Sequence, residues 1–270
     1  MSEQRDDRVV EREIALDAPT TVVWKALTDA GELMRWFPLE ARVSPGRGGT
    51  VWMRWDDAYD AESAIEIWEP ERHLRIRFPH EQAMHLATDY YLEGRGGGTV
   101  LRVVTSGFGA GDDWDTLYDG VRRGWNFELL ALRHYLERHR GRDRAVAWGR
   151  VPCRASHREA WSRLTGPGGW FGAGGLGTVA VDARYTARTT TGHVLTGVVQ
   201  LWQPPLLFAG TVEGCNDALF RLELQGKDGA GELWFWLATY GVPAAEVRSI
   251  EGAWRKSLGQ LFEEPAAQPR

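Results

Sequence analysis

The sequence has little of what marks several common classes of protein. Among 270 residues there are two cysteines, Cys153 and Cys215, and the net charge at pH 7 is −5. Two cysteines without metal-like neighbours build neither a disulfide framework nor a zinc site, so we expect both to be buried, reduced thiols. Because there is no excess of basic residues, we expect neither nucleic acid nor an anionic membrane as a partner.

Long apolar stretches are also missing. The sequence contains no run of 18 apolar residues, and its first eight residues, MSEQRDDR, carry no apolar signal region. We therefore expect a cytoplasmic protein. Tryptophan, by contrast, is abundant, with 14 residues divided equally between 1–142 and 143–270. Such an aromatic load favours packed cores or apolar cavities over disorder.

An internal repeat is centred on Pro19 to Phe37, where a helical pattern precedes an aromatic pair. A shorter version recurs at Ser156 to Phe171 and also ends in Trp-Phe. The pairs that carry the match are Trp24 with Trp161, Leu27 with Leu164, and Thr28 with Thr165. Two further matches keep the same order: 67–70 with 201–204, and 125–132 with 254–261. Three matches in order predict a duplication, with domains at 1–142 and 143–270.

Alternating apolar and polar residues predict several strands in each half, as at Val51 to Arg54. Strands that follow one another without crossovers imply antiparallel hairpins. A long amphipathic helix closes each half, with apolar residues three or four apart from Leu117 to Leu136 and from Val247 to Leu261. We expect each apolar stripe to face its sheet, and Asp112 or Asp113 to cap the first helix.

These residues resemble a known superfamily. The segment Val23 to Asp29, the Trp36-Phe37 pair, Gly48-Gly49 before a strand and Trp125 in a terminal helix are similar to SRPBCC, or START-like, proteins. The nearest branch is named after the activator of the heat-shock-protein-90 ATPase. The resemblance covers 9–140 well and 145–263 more weakly. It implies an α+β fold of two tandem helix-grip domains, each a curved antiparallel sheet around a long C-terminal helix, with a cavity between them.

Side chains expected on the concave face of the first sheet define a candidate ligand-binding cavity. Large apolar groups with a few hydroxyls suit a small-molecule pocket, but they equally suit a filled core. The predicted residues are Trp36, Met53, Trp55, Ile65, Ile76, Phe78, Thr88, Tyr90, Thr105 and Trp125. Ligand pockets have volumes of about 300 Å³ or more, so a cavity volume below about 100 Å³ would argue against binding.

The two copies differ in the segment before the aromatic pair. Seven residues separate Thr28 from Trp36, whereas four separate Thr165 from Trp170. The connection Pro79 to His85 also lacks an equally long counterpart. Because shorter loops enclose less space, we predict that the first domain holds whatever pocket exists and that the second is mainly structural.

Other motifs in the sequence are weak. Gly172, Gly174 and Gly177 spell GxGxxG, but no strand precedes them and no helix follows, so we interpret them as a loop. His80-Glu81 and His85 are one residue too far apart for a zinc HExxH. No nucleophile elbow or Ser/His/Asp grouping is recognisable. We therefore predict no catalytic residue, no metal and no cofactor.

Three functions remain open, because the resemblance specifies fold more than activity. The first is the binding of a small apolar molecule. The second is a co-chaperone that stimulates the heat-shock-protein-90 ATPase, although the separate N-terminal domain of such activators has no visible counterpart. The third is a polyketide-cyclase-like or hydrolase-like enzyme, for which Tyr90 would be the first residue to test. A perturbed His, Asp or Glu facing the cavity would favour the enzyme.

Overall fold

The computed structural model describes residues 8–56, 60–78, 86–177 and 179–263, apart from the Asp113 side chain. The chain divides into two compact units, residues 1–142 and 143–270. Each unit contains one antiparallel sheet followed by one long helix. The α+β fold of two tandem helix-grip domains, predicted from the sequence, is confirmed.

The first unit has a seven-stranded sheet in the order β1-β7-β6-β5-β4-β3-β2. Its strands are β1 (Val9–Leu16), β2 (Glu40–Ser44), β3 (Thr50–Arg54), β4 (Asp60–Glu69), β5 (His73–Arg77), β6 (Ala87–Arg95) and β7 (Gly98–Ser106). Two helices, α1 (Thr20–Thr28) and α2 (Ala30–Leu33), join β1 to β2, and α3 (Asp112–His134) follows β7 and ends in a π-helical turn at Tyr135–His139. In β7 burial alternates strictly, so one face of the sheet packs inwards.

The second unit repeats this plan with one strand fewer. Its sheet order is β8-β13-β12-β11-β10-β9. The strands are β8 (Arg144–Cys153), β9 (Arg184–Arg188), β10 (Val194–Gln203), β11 (Leu207–Val212), β12 (Ala218–Lys227) and β13 (Ala230–Tyr240), and the helices are α4 (His157–Thr165) and α5 (Ala244–Phe262). The Ser156 hydroxyl accepts a hydrogen bond from the Glu159 backbone N–H at 3.3 Å and so caps α4.

Three local expectations are wrong. The N-cap of α3 is Gly111, with no side-chain cap, so neither Asp112 nor Asp113 caps the helix. Leu117 is 38% exposed, so the apolar stripe is not buried at this N-terminal position. Cys153 is buried, but Cys215 is only half-buried; both are free thiols.

Strand β9 starts only at Arg184, after a series of turns. Gly172, Gly175 and Gly177 adopt positive φ, and Asp182 does too at 66°, so the chain turns repeatedly before β9 can begin. The GxGxxG stretch is accordingly a loop up to Gly177. The His80-Glu81 and His85 pattern, like the connection Pro79 to His85, lies outside the described residues. Within the described ranges, no helix is long and apolar enough to span a membrane.

Gly252 gives a first prediction. It lies exposed in the middle of α5, and a Cβ added there would meet no atom within 4 Å. We expect Gly252→Ala to raise the free energy of unfolding by about 0.5–1 kcal/mol, because alanine restricts the unfolded chain and suits a helix. Urea denaturation of the full chain measures this. Gly241→Ala is the matched control and should destabilise instead, since Gly241 has φ of +76°.

Candidate functional site

A small cavity lies on the concave face of the first sheet. The volume of this cavity is ≈ 10 Å³. Nine side chains line it: Leu27, Leu33, Trp36, Phe37, Val51, Met53, Leu74, Ile76 and Tyr90. This volume holds about one water molecule, far below the roughly 300 Å³ typical of ligand pockets. The predicted ligand-sized cavity is therefore not seen at this position.

The aromatic pair after α2 closes one side of the cavity. Trp36 is buried, and its indole N–H donates to the Ala26 carbonyl at 2.9 Å. Phe37 stacks on Trp36 with ring centroids 4.9 Å apart and planes 13° from parallel. Phe37 also touches Trp55 and Trp125, with centroids 5.3 Å and 6.2 Å away. The half-buried Phe37 ring thus lies between the cavity and its aromatic surroundings.

Tyr90 supplies the single hydroxyl among the described residues that line the cavity. Its ring packs edge-on against Trp125, with centroids 5.7 Å apart. Within the described residues its hydroxyl has no hydrogen-bond partner. Burial raises the pKa of Tyr90 well above its usual range, and the charge of Glu128 adds to the effect. The phenol therefore stays neutral and is available as a donor.

A short chain of hydrogen bonds lies beside Tyr90. The Trp125 indole N–H donates to the Thr105 hydroxyl at 3.0 Å, and the hydroxyls of Thr105 and Thr88 are 2.9 Å apart. This chain contains three donor hydrogens but only two hydrogen bonds. One hydroxyl hydrogen therefore has no acceptor among these three groups, although both threonines are buried.

Four of the ten predicted residues line the cavity: Trp36, Met53, Ile76 and Tyr90. The other six are not among its lining residues. Thr88, Thr105 and Trp125 form the chain beside Tyr90; Ile65 pairs across the sheet with Ile76; Trp55 packs on Phe37; and the Phe78 backbone N–H donates to the Leu86 carbonyl.

Five lining residues were not predicted: Leu27, Leu33, Phe37, Val51 and Leu74. Val51 and Leu74 share the alternation of Met53 and Ile76, so the strand pattern could have identified them. Leu27 and Leu33 come from α1 and α2, whose depth in the fold no local pattern shows.

The strand register identifies the equivalent positions in the second unit. Trp68 pairs with Leu74, as Trp202 pairs with Phe208. Across the next ladder, Leu74 pairs with Tyr90 and Phe208 pairs with Leu222. The three hydroxyl residues of the first unit therefore correspond to apolar ones in the second: Thr88 to Phe220, Tyr90 to Leu222, and Thr105 to Leu237.

The second core is filled by rings. A Cβ added at Gly210 would lie 2.7 Å from the Tyr185 ring, which covers the position that Ile76 occupies in the first unit. The Tyr185 hydroxyl donates to the Thr211 carbonyl at 2.8 Å, so it already has a partner. Trp254 meets Trp170 and Phe220 with centroids 5.3 Å and 5.2 Å apart.

An antiparallel sheet with a small cavity on its concave face and a long C-terminal helix defines a helix-grip domain. Residues 17–137 match the model of the family described as activator of Hsp90 ATPase homolog 1-like protein. The first domain is therefore similar to AHSA1-like proteins, and the SRPBCC-type resemblance read from the sequence is confirmed.

Several solved structures are similar to the chain. The di-domain ARO/CYC BexL is 15% identical with a TM-score of 0.45, covering 97% of this chain and 100% of its own. DynU16, from the dynemicin biosynthetic locus, is 18% identical with a TM-score of 0.43, covering 95% and 96%. The Aha1 dimer from Colwellia psychrerythraea is 18% identical with a TM-score of 0.45, covering 50% and 99%. Likenesses at this level say nothing about the ligand or chemistry of this chain. None of the curated proteins matches it.

Proposed function

We propose that the first domain binds a small, largely apolar molecule bearing a hydrogen-bond acceptor, such as a carbonyl oxygen. The observation that carries this proposal is the Tyr90 hydroxyl, which lies in an apolar wall without a partner among the described residues. The hydroxyl is a hydrogen-bond donor placed in an otherwise apolar wall, and such a donor suits a ligand that carries an acceptor.

The comparison between the two domains supports this proposal. The second domain has the same strand register, yet it carries Phe220, Leu222 and Leu237 where the first carries hydroxyls. The fold itself therefore does not need polar groups at these positions. Their presence in one copy only is what a binding site in the first domain would require.

The donor count favours an acceptor as the ligand's polar group. Tyr90 and the Thr88–Thr105 pair each leave a hydroxyl hydrogen without a protein acceptor among the groups described above. Of these groups only Tyr90 lines the cavity, so a carbonyl or ether oxygen of a ligand could accept from Tyr90, whereas a hydrocarbon would leave the Tyr90 hydroxyl without an acceptor.

Binding in this proposal requires a side chain to move, because ≈ 10 Å³ does not hold a ring. Phe37 is the half-buried member of the wall beside Trp36, and rotation of its ring would enlarge the cavity towards Trp55. A ligand with one or two fused rings would then replace the Phe37 contacts with Trp36 and Trp125.

A matched pair of probes tests the proposal. 2-Acetylnaphthalene and 2-ethylnaphthalene have nearly the same shape but differ in one carbonyl oxygen. We expect the ketone to bind the full chain more tightly by about 1 kcal/mol, which is roughly fivefold. Tyr90→Phe should abolish the difference and leave the affinity for the hydrocarbon unchanged. Isothermal titration calorimetry measures both affinities.

Tyr91→Phe is the control, because Tyr91 lies on the opposite face of β6 and stacks on His73 with centroids 4.3 Å apart. It should retain the preference for the ketone. Equal affinity for the two probes in the native protein would contradict the proposed polar contact. Absence of binding by either probe, together with no co-purified molecule in native mass spectrometry, would indicate a filled core.

The enzyme and co-chaperone hypotheses make different demands on the protein. The enzyme hypothesis needs a proton-transfer group, and none of the nine lining residues is His, Asp or Glu. Tyr90, with its raised pKa, is a poor base at neutral pH. The co-chaperone hypothesis predicts faster ATP hydrolysis by heat-shock protein 90 on adding stoichiometric protein; unchanged turnover would dispose of it.

A further inference from the structure

An unusual hydrogen bond joins a hairpin of the second domain to its core. Trp254, on α5, is fully buried, and its indole nitrogen lies 3.2 Å from Nδ1 of His193, which precedes β10. An indole N–H only donates, so Nδ1 of His193 must be unprotonated to accept it. The imidazole is thereby held as the neutral form that carries its hydrogen on Nε2.

The hairpin orients the imidazole from its own side. The Thr191 hydroxyl lies 2.8 Å from the same Nδ1 and 2.8 Å from the Thr189 hydroxyl. The Thr189 hydroxyl in turn accepts from the His193 backbone N–H at 3.1 Å. The Thr191 side chain in the hairpin and Trp254 on α5 thus contact the same ring nitrogen.

Among the described residues the imidazole nitrogen contacts Thr191 and Trp254, and no charged group contributes to the shift of its pKa. The buried α5 residues on the same face as Trp254 are Val247, Ile250 and Leu258, none of which titrates. In the hairpin, the charged Arg188 donates to the Gly192 carbonyl at 3.1 Å. Burial alone lowers the pKa of His193 below its ordinary value of 6.5.

We propose that His193 is an acid-sensitive switch of the second domain. In its neutral form it ties the hairpin at 189–193 to Trp254, and protonation of Nδ1 removes the acceptor and releases the hairpin from α5. The proton comes from solvent: an N–H bond forms at Nδ1 as hydronium becomes water, and no bond between heavy atoms forms or breaks.

The direction of the pH effect follows from linkage. Since the pKa of His193 is lower in the folded chain than in the unfolded one, the unfolded chain binds the proton first as the pH falls. The stabilisation is complete above pH 6.5, the ordinary histidine value, and is lost as the pH falls through the lowered value in the folded state.

The first domain provides an internal control. Trp125, which occupies the position of Trp254, donates to the Thr105 hydroxyl. A threonine hydroxyl does not titrate in this range, so the bond of Trp125 should not respond to acid. An acid effect confined to Trp254 would therefore identify His193 as its source.

Nuclear magnetic resonance of the full chain labelled with ¹⁵N-tryptophan and ¹⁵N-histidine tests this proposed switch. We expect the His193 spectrum at pH 7 to show an unprotonated Nδ1. Between pH 7 and pH 5, the hydrogen-exchange protection of the Trp254 indole should fall relative to that of Trp125. In His193→Asn, whose side-chain oxygen can accept in place of Nδ1 without titrating, protection should stay constant.

His157→Asn is the matched control, because His157 belongs to α4, where its Nδ1 lies 3.9 Å from Asp228. The His157→Asn variant should retain the acid response of the native protein. The indole signal that changes in His193→Asn but not in His157→Asn is assigned to Trp254. A protonated Nδ1 at pH 7 in the native protein would overturn the proposal without any variant. The same loss of Trp254 protection in His193→Asn as in the native protein would overturn it as well.

Discussion

Replacement of Trp254 by alanine is expected to lower the free energy of unfolding of the second domain by about 3–5 kcal/mol. The Trp254 side chain is fully buried on α5. Its ring contacts Trp170, Phe220 and Phe235 at centroid distances of 5.3, 5.2 and 5.9 Å. Truncation would remove the central ring of this aromatic cluster and leave the His193 Nδ1 without its indole donor. Both the lost contacts and the cavity lower stability.

Urea denaturation of the full chain measures the change, and the transition assigned to the second domain should shift to lower urea. Trp52→Ala is the comparison, because Trp52 is half-buried on the outer face of the first sheet. There it donates to Asp60 at 2.7 Å and lies under Arg42 at 4.2 Å. We expect a smaller loss, about 1 kcal/mol, since less area is buried. Similar losses for the two variants would contradict the central role of Trp254.

The repeat explains why so much of the fold could be predicted. Trp36-Phe37 and Trp170-Phe171 reappear at equivalent places because each pair packs against the rings of its domain, a constraint that tolerates changes elsewhere. The strands were recognisable from alternation, which follows directly from the two faces of a sheet. Periodicity does not say how far along a helix the packing extends. For this reason the exposure of Leu117 could not be anticipated.

The strand residues of the site could be predicted from the sequence, but the volume of the cavity could not. Met53, Ile76 and Tyr90 point to the concave face by register, whereas the cavity volume depends on how closely Leu33 and Phe37 approach them. Differences of one methylene decide whether such a space is open or filled, and no sequence pattern resolves them. His193 was missed for another reason. Its partner, Trp254, is 61 residues away, so nothing in the local sequence singles it out.

Gly197→Ser is expected to destabilise the second domain by about 3 kcal/mol, at the upper end of overpacking effects. By register, Gly197 pairs with Tyr185 as Ser63 pairs with Val51, so the substitution introduces the residue of the first domain. A Cβ at Gly197 would lie 2.0 Å from the Thr211 carbonyl oxygen, which also accepts the Tyr185 hydroxyl. Because this neighbour is backbone, no rotation of a side chain relieves the clash.

The measurement is again the urea transition of the second domain in the full chain. Gly214→Ser is the control, because a Cβ at Gly214 would meet nothing within 4 Å, and it should change stability by less than about 0.5 kcal/mol. Equal stability of the two variants would mean that the strand bearing Thr211 can withdraw from β10 at little cost. The dense second core would then not depend on the close approach at Gly197. A large loss of stability in Gly197→Ser would instead indicate that packing in the second domain depends on Gly197, because glycine lets β10 and the strand bearing Thr211 approach closely.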